Sequence, residues 1–145
     1  MIRIISVGKL KETYLKEMVN DYLKRLTKYH KVELIEVKDS NINEEAKEIL
    51  KYIKSNDYVI SLAIEGKELS TLEFKDLIER QLVNGNSNIT FIIGGSDGID
   101  DSIKNNSDEM ISFSKLTFPH GLFRTILLEQ IYRVFKIMNN ETYHK

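Results

Sequence analysis

The sequence predicts an α/β domain built on a mostly parallel sheet with helices on both faces. Short β-branched runs alternate with amphipathic helical spacings along the whole chain. The third run, Tyr58 to Ile64, is apolar nearly throughout, as a strand covered on both faces requires. The fourth, Ile89 to Ile93, ends in two glycines, at the strand end where parallel sheets hold their ligands.

Ile2 to Val7 opens the chain as a strand and stops at Gly8. Tyr14, Leu15, Met18, Val19, Tyr22 and Leu26 then recur at helical spacing, which completes a first βα unit. Val32 to Val37 is the second strand, and the polar stretch Asn41 to Asn43 opens a helix carrying Ala46, Ile49, Leu50 and Ile53. After the third strand, Glu65, Gly66 and Lys67 read as a turn. Ser70 and Glu73 have the spacing of a capping box for a helix reaching about Leu82. The fourth strand leads into Gly94-Gly95-Ser96-Asp97-Gly98, then a short helical piece around Ile99 to Lys104 and a fifth strand near Met110 to Phe113. A loop from Ser114 to His120 holds the only proline, Pro119, and the last helix runs from Leu122 to Met138.

No repeat, linker or low-complexity tract divides the 145 residues, so residues 1–145 are expected to form one domain around one core. The absence of cysteine excludes disulfides, thiolate metal sites and cysteine nucleophiles. His30, His120 and His144 are too scattered for a metal site, and no metal is expected. The N-terminus has no signal-peptide pattern and no stretch is apolar enough for a membrane span, so a cytoplasmic protein is expected. Charge is uneven: residues 1–31 hold 8 Lys/Arg against 3 acids, residues 32–114 hold 8 against 17, and residues 115–145 hold 5 against 2. If the two basic ends share a face, they create a local field that attracts phosphate; solvated helix faces are the plainer alternative.

The loops after the fourth and fifth strands are the first candidates for a pocket. Gly94 and Gly95 let a ligand reach the backbone without meeting a Cβ, although a glycine pair can also simply turn the chain. The loop lacks the Gly-Lys-Ser/Thr ending of a phosphate loop and the spacing of a dinucleotide fingerprint. Asp97, Asp100 and Asp101 repel phosphate, so a neutral or cationic ligand fits better. In the last helix, Leu122, Ile126, Leu127, Ile131, Val134, Phe135 and Met138 suffice for a core stripe, leaving Arg124, Glu129, Gln130 and Arg133 without a packing role. Glu129 and Arg133 lie four apart on one face, where a solvated salt bridge is the alternative to a functional pair.

Phe91-Ile92-Ile93-Gly94-Gly95-Ser96-Asp97-Gly98, Ser112-Phe113-Ser114-Lys115-Leu116-Thr117-Phe118-Pro119-His120 and Leu127-Leu128-Glu129-Gln130-Ile131-Tyr132-Arg133 stand in this order, with Tyr143-His144-Lys145 at the end. Together with Val7-Gly8-Lys9-Leu10-Lys11 and Leu62-Ala63-Ile64-Glu65-Gly66-Lys67, they closely resemble the RlmH family of SPOUT-class ribosomal RNA methyltransferases, over the whole chain. The resemblance implies a SPOUT fold with a C-terminal trefoil knot. It also implies an S-adenosyl-L-methionine site formed by Leu62, Gly94, Gly95, Phe113, Ser114, Lys115, Leu116, Thr117 and Phe118. That cofactor carries a sulfonium and no phosphate. The resemblance further implies a homodimer that methylates N3 of a pseudouridine in 23S ribosomal RNA on the assembled ribosome.

Methyl transfer to an imide nitrogen needs positioning, removal of a proton and a cation for the developing anion. Glu129, Arg133, Tyr143 and His144 are the expected catalytic residues, and Arg124, His120 and Lys145 the expected RNA contacts. Tyr143 packing the tail, His120 capping the last helix and Glu129 merely holding Arg133 remain as alternatives. Two departures from the family stand out: Asn139-Asn140-Glu141-Thr142 replaces an Arg-Gly-Glu-Pro type of turn, removing one arginine, and Gly121 replaces a larger or polar residue. Two other classes share parts of the pattern. A flavodoxin-like phosphoryl switch needs acids after the first strand, where Val7-Gly8-Lys9 stands, and a non-catalytic ribosome-binding module needs neither of the two pocket loops.

Overall fold

The structure, a computed structural model, describes residues 1–85 and 88–143. The order is β1 (Ile2–Val7), α1 (Thr13–Leu26), β2 (Val32–Val37), α2 (Ile42–Leu50), β3 (Asp57–Glu68), α3 (Thr71–Val83), β4 (Asn88–Ile93), α4 (Asp101–Lys104), β5 (Glu109–Ser112) and α5 (His120–Met138). The five strands form one sheet in the order β2-β1-β4-β3-β5, with every pair parallel. This order differs from the 2-1-3-4-5 of flavodoxin-like folds, which removes that alternative.

Strand alternation divides the core in two. Ile2 and Ile4 of β1, Ile60 and Leu62 of β3, and Ile89, Phe91 and Ile93 of β4 face α1, α3 and α5. Ile5, Val7, Val59 and Ile92 point the other way, into a smaller cluster with Ala46 and Ile49 of α2 and Ile103 of α4. Each such side chain contributes about 1.5–3 kcal/mol by leaving water. Basic α1 and basic α5 therefore pack together on one face, and their cations lie over tyrosines: the Arg25 guanidinium is 5.4 Å from the Tyr22 ring and 5.7 Å from that of Tyr132.

Helix starts follow the caps. The Asn41 side chain accepts from Glu44 N–H at 2.9 Å, the Ser70 and Glu73 capping box is formed, and Asp100 caps α4. α1 and α5 begin at Glu12 and Pro119, and neither makes a side-chain cap.

Three expectations change. β3 does not end at Ile64: residues 63–66 bulge outward and the strand resumes, with Leu62 and then Lys67 pairing with Ile111 of β5. Gly66 permits this, because a Cβ there would lie 2.7 Å from the backbone of Ile111. α2 stops at Leu50, and Ile53 packs against the smaller core from the following turn. In α5, Leu122 is 37% exposed while Arg124 is fully buried, since Arg124, Leu127, Leu128 and Ile131 share the inward face at i, i+3, i+4 and i+7.

At the N-terminal ends of the strands a polar network ties four of them together. Arg3 donates to Glu33 at 2.7 Å and to the buried Asp57 carboxylate at 3.3 Å. Asp57 also accepts from Asn88 at 3.0 Å, Thr90 at 3.1 Å and the Lys54 N–H at 2.9 Å.

Candidate active site

The loops leaving β3, β4 and β5 meet around a cleft of about 460 Å³, a volume usual for small-molecule sites. The structure brings eight of the nine expected cofactor residues to its walls: Leu62, Gly94, Gly95, Phe113, Ser114, Leu116, Thr117 and Phe118; Lys115 does not line it. Each wall follows from local sequence. A Cβ on Gly94 would lie 2.5 Å from the Gly98 carbonyl oxygen, so only glycine lets this loop close. Gly98 completes the turn, donating its N–H to the Gly95 carbonyl at 3.0 Å with φ at 82°.

The Ser114 hydroxyl accepts from Leu116 N–H, and the Ser114 carbonyl accepts from the Ser112 hydroxyl, both at 3.0 Å, which folds the third loop against the cleft. Phe113 rests edge-on against Phe74 at 5.7 Å and against Phe123 at 5.2 Å, closing an aromatic floor.

Two charged residues line this cleft, Glu65 on the β3 bulge and Lys104 at the end of α4, and they form an ion pair with each other. The Lys104 ammonium holds the Glu65 carboxyl below the usual carboxylate range. Sequence reasoning missed both, along with Phe123. They are 39 positions apart, and only the bulge, which had read as a turn, brings Glu65 to Lys104.

Three of the four expected catalytic residues gather elsewhere, Glu129 and Arg133 on α5 and Tyr143 beyond its end. The Glu129 carboxylate accepts from Arg133 at 3.0 Å, from the Gln130 amide at 2.8 Å and from the Tyr143 hydroxyl at 3.2 Å. The Arg133 guanidinium lies 4.7 Å from the centre of the Tyr143 ring. Burial, and then the Glu129 charge, push Tyr143 up to about 12, so it stays a neutral donor at physiological pH. None of the three lines the cleft.

Arg124, expected to have no packing role, is packed inward with no exposed surface, donating to Glu36 at 2.7 Å and to the Gly8 carbonyl at 3.2 Å. Its burial lowers its pKa, against the pull of Glu36. His120 begins α5, but its side chain, and all of His144 and Lys145, lie outside the described residues. Among the described residues, no cluster of carboxylates and histidines fits a metal ion, and no helix is long and apolar enough to cross a membrane.

The family model described as "Predicted SPOUT methyltransferase" matches residues 1–144. The chain belongs to the SPOUT methyltransferase family. Among SPOUT methyltransferases it is similar to proteins named ribosomal RNA large subunit methyltransferase H. Those from Enterococcus faecalis and Clostridium botulinum are each 48% identical over 157 aligned positions, covering 99% of this chain and 99% of the relative. One from Clostridium perfringens is 47% identical at the same coverage. The fold is similar to that of the solved structure of a probable methylase family protein from Haemophilus influenzae. Its TM-score is 0.55 at 12% identity, and the match covers 96% of this chain and 66% of that one. In this SPOUT methyltransferase, residues 91–98 and residues 112–120 meet at the cleft at the ends of β3, β4 and β5, and residues 127–133 do not line it.

Proposed function

We propose that this SPOUT methyltransferase moves a methyl group from S-adenosyl-L-methionine to N3 of a pseudouridine in 23S ribosomal RNA, acting as a cytoplasmic homodimer on the assembled ribosome. The observation that carries the reading is the convergence of the Leu62, Gly94-Gly95 and Phe113–Phe118 loops on one apolar cleft, in a chain whose full-length relatives are named for large-subunit ribosomal RNA methylation. The cleft fits the cofactor chemically. Its aromatic and aliphatic walls suit an adenine, its glycine loop exposes backbone, and Glu65 with Lys104 supplies opposite charges for a zwitterionic amino-acid end. Once bound, the cofactor supplies a methyl group activated by the sulfonium.

The chain's own residues hold the acceptor and manage its proton. Gly94 and the Ser114 turn fix the depth of the cleft, while Phe113, Phe118 and Phe123 exclude water from it. Glu129 lies six residues beyond Phe123 on α5, about 9 Å of helical rise, and Arg133 about 15 Å. A catalytic Glu129-Arg133-Tyr143 cluster therefore acts on the cleft of a second copy, which is the support for the homodimer. In that arrangement the Glu129 carboxylate takes the N3 proton, Arg133 stabilises the uracil anion so formed and neutral Tyr143 donates a hydrogen bond; the same reading gives His144 a catalytic role and Lys145 an RNA contact. The trefoil knot belongs to the same proposal and rests on membership of the SPOUT family.

Incubation with labelled S-adenosylmethionine and ribosomes from a strain lacking the modification tests the reading. Label on N3 of one large-subunit pseudouridine is expected. No transfer by protein that still binds S-adenosylhomocysteine sinks the acceptor assignment.

A further inference from the structure

A second cleft, of about 910 Å³, opens at the C-terminal ends of β1 and β2. It adjoins the first, since Pro119 lines both. Its rim carries Lys9, Lys11 and Lys38, all exposed and none in an ion pair among the described residues, a state they share with Lys16, Lys24, Lys31, Lys54, Lys67 and Lys115; what sets the three apart is that they converge on one cleft. Glu12, Glu36 and Asp39 also border it, but Glu36 is already engaged by Arg124 and by the Leu10 N–H at 2.8 Å.

Two further features mark this as an anion site. The N-termini of α1 and α5 both border it, and these are the two helices without a side-chain cap or an acidic residue in the first turn. α2, α3 and α4 have both. Their first amides are left to an outside acceptor, with the helix dipole behind them. Independently, Arg124 lines the cleft with no exposed surface, and its Nε has no partner among the described residues. A buried guanidinium N–H without an acceptor costs more than it returns unless a ligand supplies one. The remaining wall is apolar, with Leu10, Leu15 and Leu122 beside Pro119.

We propose that this second cleft binds a nucleotide of the RNA strand next to the methylated one. Its phosphate lies against the two helix N-termini, the Arg124 Nε–H and the three lysines, and its base against Leu10, Leu122 and Pro119. The assignment rests on the RNA methyltransferase reading and adds a second subsite to it. A strand crossing Pro119 places one nucleotide at the cofactor and holds its neighbour, as proteins that bind splayed single-stranded RNA do.

Binding of a short fluorescent single-stranded RNA to the full chain tests this by anisotropy across a salt series. Lys9→Ala/Lys38→Ala is expected to weaken binding about tenfold and to flatten the slope of log K against log salt by about 1. Lys31→Ala/Lys54→Ala removes the same charge at the other end of the sheet and is expected to leave both unchanged. S-adenosylhomocysteine affinity, by calorimetry, keeps its starting value in both variants. Equal losses in the two variants, or none in the first, overturn the proposal. So does a change of oligomeric state in Lys9→Ala/Lys38→Ala by light scattering, which assigns the cleft to a second copy of the chain. Failure of the parent protein to methylate ribosomes would strike the acceptor assignment alone, because the RNA-binding comparison is read without turnover.

Discussion

The two ends of the sheet are built on opposite terms. At the N-terminal ends, Arg3, Glu33, Asp57, Asn88 and Thr90 join four strands in one network. At the C-terminal ends, the polar groups are left short of partners: Ser6 Oγ near the end of β1, and Arg124 Nε and Thr125 Oγ1 near the start of α5, are buried and unbonded among the described residues. There two helices start uncapped, and glycine replaces side chains in the loop after β4. The contrast separates stability from function. Joined groups hold the sheet at one end, and three of the four buried unbonded polar atoms among the described residues gather at the other, the fourth being His30 Nε2, whose ring stacks on Phe135 beside the start of β2.

The sharpest way to break the contrast is at the satisfied end. Asp57→Ala removes the acceptor that Arg3 and three other donors share, and is expected to cost about 3–5 kcal/mol in denaturant unfolding. Its S-adenosylhomocysteine affinity below the melting transition is expected to remain. Gly94→Ala attacks the other end: its Cβ meets the Gly98 backbone, so a loss of about 1–3 kcal/mol is expected together with loss of cofactor binding by calorimetry.

Lys104→Met leaves the fold intact and removes one charge of the cleft pair. It is expected to weaken S-adenosylhomocysteine about tenfold, near 1.4 kcal/mol, and methylthioadenosine, which lacks the amino-acid end, hardly at all. Equal weakening of both ligands would contradict the zwitterion assignment.

Glu45→Gln carries the smallest effect. Burial raises the Glu45 carboxyl above its usual range, and Asp39 and Asp97 add to the rise against the hydrogen bond from Ser40 N–H. A raised folded pKa means a stabilising contribution that is complete below the unfolded value and lost as pH rises through the folded one. The variant is thus expected to melt above the parent at pH 8 and to lose that advantage at pH 4.

Most of the architecture was legible because it rests on period. The nearly continuous apolar runs of β3 and β4 and the spacing of Leu15, Val19 and Leu26 leave little choice of element. The β3 bulge was not legible, since Gly66 reads as a turn residue until Ile111 is known to pass 2.7 Å from where its Cβ would stand. The inward packing of Arg124 was not legible for a related reason: a charged residue shows no packing role until its partner is known, and Glu36 lies 88 positions away. The loops after β4 and β5 were legible as strand ends and then as motifs; their meeting with the β3 loop in one cleft depends on the strand order 1-4-3-5, which no local pattern encodes.

The tail shows how a departure can be accommodated. Asn140 takes φ of 56° where the family commonly has glycine, and the turn closes as a Schellman motif, with Glu141 N–H on the Lys136 carbonyl at 2.9 Å and Asn140 N–H on that of Ile137 at 3.0 Å. The Glu141 carboxylate then bonds Tyr29 and Lys136, each at 2.8 Å, which anchors the segment leading to Tyr143.

The position of α5 also has a consequence for biosynthesis. It follows every strand in chain order, yet Leu127, Leu128, Ile131, Val134 and Phe135 fill the centre of the larger core, between α1 and α3. A nascent chain that has not reached residue 120 therefore lacks the cover these side chains give to Leu15, Val19, Phe74, Leu77 and Ile78. The larger core consolidates only once α5 has emerged, and a product truncated before it exposes apolar surface of the kind that aggregates or engages chaperones.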